Sequence, residues 1–165
     1  MRILVVFCHP VLDSFGARLR DTVLDALAAH ETRLVDLYSG ADLPRSFDHD
    51  DSDSLAWAEA IVLVYPTWWS SLPAPLMGWV EEGLDRDLWR HLSRVVAVTT
   101  HGSSRMVNWV TGGIGRRIVQ RGLPKMMAEG SFGRFIALYS MDTIGDTERE
   151  QFCASLPETL ASALK

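Results

Sequence analysis

Three short segments of this 165-residue chain carry the polar and aromatic side chains whose types and spacing suit ligand chemistry. The first, His9-Pro-Val-Leu-Asp-Ser14-Phe15-Gly16, runs straight into a helical pattern. Unpaired amides at a helix start, with the positive end of the dipole, make an anion site, to which Ser14 and His9 would add a hydroxyl and a ring nitrogen. Simple capping of the helix by Asp13 or Ser14 is the alternative, and the residue types leave both open. The second segment, Pro66-Thr67-Trp68-Trp69-Ser70-Ser71-Leu72-Pro73, sets two adjacent indoles between prolines. Such rings either pack beneath the loop or stack on a planar ligand. The third, Thr99-Thr100-His101-Gly102-Ser103-Ser104, offers hydroxyls, an imidazole and a glycine that lets a ligand approach the backbone. Together they describe a phosphate cradle, an aromatic wall and a polar edge around one planar molecule.

Other chemistries find no support. The chain lacks the glycine-rich dinucleotide fingerprint, the GxxxxGK[ST] loop, a G-x-S-x-G elbow, and HExxH or CxxC motifs. A phosphoacceptor role for Asp13 would need an acidic pair and a lysine after the fifth strand, and Ser140-Met141-Asp142-Thr143 supplies neither. Cys8 and Cys153 are too far apart in sequence to suggest a disulfide framework or a metal pair, and Cys8 reads as a small buried hydrophobe. The Asp48-His49-Asp50-Asp51 cluster reads as a solvated acidic loop, so no metal is expected. Sixteen basic against 21 acidic residues give a net charge of −5, without the electrostatic footprint of a nucleic-acid binder. No apolar run approaches the roughly 20 residues of a membrane span. The expectation is a cytoplasmic protein whose first residues belong to the fold, with residues 1–165 forming one domain.

The positioning elements follow from periodicity. Apolar runs at Ile3–Cys8, Arg33–Tyr38, Ile61–Tyr65, Arg94–Thr100 and Arg134–Tyr139 read as strands, and helical patterns lie between them. A helix follows Ser14, another begins at Pro73 or Pro75, and Met106–Arg121 reads as a helix broken at Gly112, Gly113 and Gly115. Ser39–Asp53 reads as a surface loop. Phe152, Leu156, Leu160 and Leu164 mark a last helix, interrupted at Pro157 and restarted by a Ser155/Glu158 capping box. The expected fold is α/β, a flavodoxin-like three-layer sandwich on a five-stranded parallel sheet of order 2-1-3-4-5. Ligands in such sheets bind beyond the carboxyl ends of the strands where strand order reverses, which is where the three segments fall.

At these loops the chain resembles the flavodoxin-like NAD(P)H:quinone oxidoreductase family, which includes the ancillary reductases of bacterial potassium efflux systems. The resemblance covers Arg2 to Pro124. The family's His-x4-Ser-Phe motif falls on His9, Ser14 and Phe15, where the family binds the flavin phosphate. Its Pro-x-Trp-Trp segment and following Gly-Trp helix fall on Pro66, Thr67, Trp68, Trp69, Pro73, Gly78 and Trp79. Its Thr-Thr-Gly-Gly loop falls on Thr99, Thr100, His101 and Gly102, with His101 in place of the usual glycine. The resemblance implies FMN rather than FAD as cofactor, NAD(P)H as co-substrate, and two-electron ping-pong hydride transfer to quinones or similar planar acceptors. His101 and Tyr65 are its candidate proton-handling groups. It further implies a homodimer, with Trp79, Trp89 or Trp109 either at the contact or buried in the core, the core being the preferred place for Trp79. Its alternative is a regulatory flavoprotein bound to a membrane transporter, with incidental reductase activity.

Overall fold

β1 (Arg2–Phe7) is buried from Ile3 to Phe7, as a strand covered on both faces must be. In this computed structural model, which describes residues 1–39 and 43–165, the side chains of that strand divide by parity. Ile3, Val5 and Phe7 point into the layer made with α1 (Phe15–Ala26) and α7 (Asp146–Ala163). Leu4, Val6 and Cys8 point the other way, toward α2 (His49–Trp57), α3 (Ala74–Glu82) and α4 (Arg86–Trp89). β3 (Ala60–Pro66) and β4 (Arg94–Thr100) repeat the division, with Ile61, Leu63, Tyr65, Val95 and Ala97 on the second face. With β2 (Glu31–Asp36) and β5 (Phe132–Leu138) the sheet is wholly parallel, in the order β2-β1-β3-β4-β5. The expected three-layer α/β sandwich is therefore the fold, and the reversal of strand order lies between β1 and β3. Among the described residues no helix is long and apolar enough to cross a membrane.

Several expectations need correction. The strand expected at Arg33–Tyr38 ends at Asp36, whose carboxylate accepts the amides of Tyr38 and Ser39 and turns the chain. Leu37 and Tyr38 stay in the core beyond that turn, which is why they resemble strand residues. The stretch expected to be loop through Asp53 becomes helix at His49, while its Gly40 lies outside the described residues. In the Asp48–Asp51 cluster Asp48, His49 and Asp50 are exposed as expected, but Asp51 is enclosed. Asp48 caps α2 through the Asp51 amide at 3.0 Å, and the fully buried Asp51 carboxylate receives two bonds of 2.7 Å from the Arg45 guanidinium.

The glycine break falls as expected. α5 (Arg105–Val110) stops at Gly112 and Gly113, both in left-handed conformation, and α6 (Ile114–Arg117) follows. A π turn (Ile118–Gly122) and a 3₁₀ turn (Leu123–Met126) complete this segment. Pro157 does not interrupt α7, which is continuous through it. Ser155 donates to the Phe152 carbonyl instead of capping a new start, and the burial of Cys153, Leu156 and Leu160 on one face outweighs the lost helix bond.

Candidate functional site

The start of α1 is held by a relay of hydrogen bonds. The Ala17 amide donates to Ser14 Oγ at 3.1 Å, and Ser14 Oγ lies 3.1 Å from His9 Nδ1. Nδ1 also lies 3.0 Å from the Val11 amide and 3.1 Å from the Val11 carbonyl. Burial lowers the His9 pKa, which keeps the ring neutral. Gly16 makes room for this ring, since a Cβ there would meet His9 Cδ2 at 2.7 Å. Ser14 is thus the helix cap, and the amides of Phe15 and Gly16 precede the first bond within the helix. Phe15 itself is half-buried against the α1/α7 core layer.

After β3 the chain makes a tight turn. The Trp68 and Ser71 backbones bond reciprocally at 3.3 and 2.9 Å, with Trp69 and Ser70 at φ of 52° and 59°. This mirror-image turn is ordinarily made by Asn-Gly, and a non-glycine residue in that region costs about 1–2 kcal/mol. The turn is anchored by the Gly115 amide, which donates to the Ser70 carbonyl at 2.8 Å, and by the Ser70 and Thr111 hydroxyls 2.6 Å apart. The outcome is exposure: Trp68 is 41% and Trp69 96% exposed. Neither indole packs beneath the loop.

After β4, His101 is 4% exposed and lies against Tyr139, with ring centroids 4.5 Å apart, while Arg105 covers the same tyrosine at 5.4 Å. His101 Nε2 is 3.3 Å from Thr67 Oγ1, whose hydroxyl is also 2.8 Å from Thr99 Oγ1. Among the described residues Nδ1 has no partner. Burial pushes the His101 pKa down to about 4, so the ring is neutral near pH 7 and offers no imidazolium acid. The Thr67 amide donates to the Thr100 carbonyl at 2.7 Å, and Pro66 stands opposite Thr100 at the end of the β3–β4 ladder.

Thr67, Trp68, Trp69, His101 and Gly102 are brought together around one crevice of about 330 Å³. Pro66 and Thr100 position it from the strand ends without lining it. His9, Ser14 and Phe15 do not line that crevice; they follow β1, the strand beside β3. Tyr65 is not brought to it at all. Its ring belongs to the core, its hydroxyl is buried without a partner, and burial raises its pKa far above the ordinary phenol value, so it is no proton donor to the crevice. Cys8 is equally inert, its thiol pushed up to about 12 by burial. Trp79 and Trp89 are core side chains, whereas Trp109 is 80% exposed. Among the described residues no cluster of metal-ligating groups occurs.

Sequence reasoning missed Asp142 and Asn108, which complete the crevice wall with Ser103 of the third segment. Gly102 lies close under Asp142: a Cβ would meet Asp142 Oδ2 at 2.6 Å, so that exposed side chain would have to swing aside. No spacing signal links those two positions.

His101 gives the fold a pH dependence. The unfolded chain binds its proton near the ordinary value of 6.5 and the native ring only near 4, so the unfolded state binds more protons in between. The stabilisation is complete above that ordinary value and is lost as pH falls toward the native one. Unfolding free energy is expected to drop by about 2 kcal/mol from roughly pH 7.5 to roughly pH 5, and His101→Gln removes most of that drop. Urea denaturation at the two pH values measures it, and an equal drop in the variant would contradict it.

Comparison with known proteins places this geometry among relatives. Residues 1–108 match a protein family described as having a flavodoxin-like fold. The ribosyldihydronicotinamide dehydrogenase-like protein traD of Penicillium crustosum is 25% identical over 114 residues, covering 49% of this chain and 43% of that protein. The chain thus spans less than half the length of that curated relative. An NAD(P)H:quinone oxidoreductase from Methanothermobacter marburgensis superposes with a TM-score of 0.74 at 18% identity, covering 96% of this chain and 94% of that one. An FMN-dependent NADH-azoreductase from Bacillus anthracis, solved with FMN, gives a TM-score of 0.75 at 13% identity, covering 99% and 98% of the two chains.

Proposed function

The chain belongs to the flavodoxin-like fold family, and from that membership we propose that it is an FMN-dependent oxidoreductase passing two electrons from NAD(P)H to a quinone or similar planar acceptor. The observation that carries this reading is the crevice beyond β3 and β4, lined by two exposed indoles together with Thr67, His101 and Gly102. A planar heterocycle with polar edges fits that lining: the indoles offer stacking area and the Trp69 and Gly102 amides offer donors. The names of the fungal relative and of the archaeal and bacterial structures support the same chemistry.

When bound, the flavin supplies the two-electron hydride chemistry. The residues of this chain supply binding and electrostatics. The first-turn amides of α1, at Phe15 and Gly16, hold the phosphate with the helix dipole behind them. Trp68 and Trp69 wall the ring and keep water from it. The Trp69 and Gly102 amides, which make no backbone hydrogen bond among the described residues, would offer donors to its polar edges, and neutral His101 stands beside them without adding charge. One crevice serves donor and acceptor in turn, a ping-pong order. The protein acts as a homodimer, for which Val107 and Val110, exposed on α5, provide apolar surface; sedimentation velocity reports the state.

The visible spectrum tests the reading. The protein is expected to bind FMN and to show flavin absorbance that NAD(P)H bleaches; a preparation that stays colourless after FMN addition overturns it. Ser14→Asp preserves the α1 cap, because aspartate caps as well as serine, yet it places a negative charge beside the phosphate. An FMN affinity loss of at least about tenfold is expected from that repulsion, and a similar loss in Trp68→Ala from lost stacking. Unchanged occupancy in both variants would move the site elsewhere.

A further inference from the structure

The net charge of the chain hides a strong asymmetry. Residues 101–141 hold six Lys and Arg side chains and one acidic residue, Glu129, while the rest of the chain holds ten basic and 20 acidic residues. Four of the six, Arg105, Arg116, Arg117 and Arg121, line one groove of about 790 Å³ reached from α5, α6, the π turn and β5, and no acidic side chain lines it. Among the described residues, none of the four forms an ion pair. A carboxylate three or four positions away would pair with a helical arginine, and none of the four arginines has one at those positions.

The groove is also aromatic. Arg116 lies 5.6 Å from the Phe135 ring centroid and Arg105 5.4 Å from that of Tyr139. These contacts hold two guanidinium groups against a wall of rings. Ser70, His101 and Asn108 line both this groove and the indole-walled crevice, so the two adjoin. A ligand with its ring in the crevice can therefore extend a charged substituent among the arginines. Guanidinium forks match carboxylate and sulfonate oxygens in pairs.

We propose that this groove is an anion subsite of the crevice, and that it selects as electron acceptor a planar aromatic compound bearing a carboxylate or sulfonate. The assignment of an acceptor rests on the function proposed above, whereas the anion preference rests on the groove alone. The test separates the two.

Calorimetric titration of the purified protein with 2-naphthalenesulfonate and with neutral 2-naphthalenemethanol requires no turnover. The sulfonate is expected to bind about tenfold more tightly at low salt, with the preference shrinking as salt rises and disappearing in the Arg116→Gln/Arg121→Gln double variant. Steady-state kinetics with a naphthoquinone sulfonate and its neutral parent then assigns the acceptor: the ratio of their KM values is expected to rise about tenfold in the double variant. An unchanged thermal midpoint establishes that the variant is folded. Equal affinity for both naphthalenes overturns the anion subsite. A KM increase confined to the dinucleotide donor overturns the acceptor assignment. A protein that prefers the sulfonate yet lacks any reductase activity keeps the subsite and removes the acceptor.

Discussion

Gly133→Ala is expected to cost at least about 3 kcal/mol of stability, lowering the unfolding midpoint by about 10 °C. Gly133 lies in β5, and a Cβ placed there meets the carbonyl oxygen of Val119 and comes within 2.8 Å of the Gln120 Cα. Both obstacles are backbone of the π turn, so no side-chain rotation relieves them. Either β5 leaves its ladder with β4 or the turn lifts from the sheet, and each exposes buried surface such as Val119. Gly122→Ala in the same turn is the control, since its Cβ would find only Ile118 Cγ2 at 3.9 Å. Thermal denaturation followed by circular dichroism compares them. A Gly133→Ala midpoint equal to that of the control would show that the turn shifts freely. The turn also carries Arg121, so a folded Gly133→Ala protein should have a distorted arginine groove.

Asp51→Ala is expected to cost about 3 kcal/mol, at the low end for a broken buried pair because the Arg45 side chain is 31% exposed. The carboxylate does two jobs. It takes both Arg45 bonds at 2.7 Å, and it accepts the Asp48 amide at 3.1 Å, closing the reciprocal cap of α2. Alanine leaves a guanidinium half out of water and an amide without its acceptor. It also frees the segment that carries Phe47, whose ring packs on Trp79 at 5.5 Å. Asp50→Ala, one residue earlier and exposed, should change stability by less than about 0.5 kcal/mol. Urea midpoints of the two variants decide the matter, and equal midpoints would reduce Asp51 to an ordinary surface acid.

The strands most legible in the sequence, β1, β3 and β4, are those covered on both faces, because burial on both sides writes an uninterrupted apolar run. β2 lies two residues before its expected position because the core side chains Leu37 and Tyr38 continue past its end, and β5 begins two residues and ends one residue earlier than expected. Tyr65 was legible in principle: it shares parity with Ile61 and Leu63, the face that turns into the core. The indoles, His101 and Gly102 could be placed at the crevice because they directly follow strand ends in a fold of known strand order. The Arg45–Asp51 pair was misread as part of a solvated stretch because composition carries no record of which charge is enclosed. The arginine groove is legible in the sequence only as the charge imbalance of residues 101–141; its cations come from two helices and an irregular turn, so their convergence on one groove leaves no run to read.

Five of the six tryptophans divide between interior and rim, with Trp57 half-buried against the core between the two groups, and the division has an optical consequence. Trp79 and Trp89 sit in a dry environment, whereas Trp68, Trp69 and Trp109 stand in water around the crevice and groove. Indole emission shifts to longer wavelength with solvent polarity, so the two groups emit at opposite edges of one spectrum. The blue edge reports the integrity of the core, and the red edge, open to collisional quenchers and to any absorbing ligand, reports occupancy of the site. The wild-type chain therefore carries separate intrinsic fluorophores for folding and for binding, without a label.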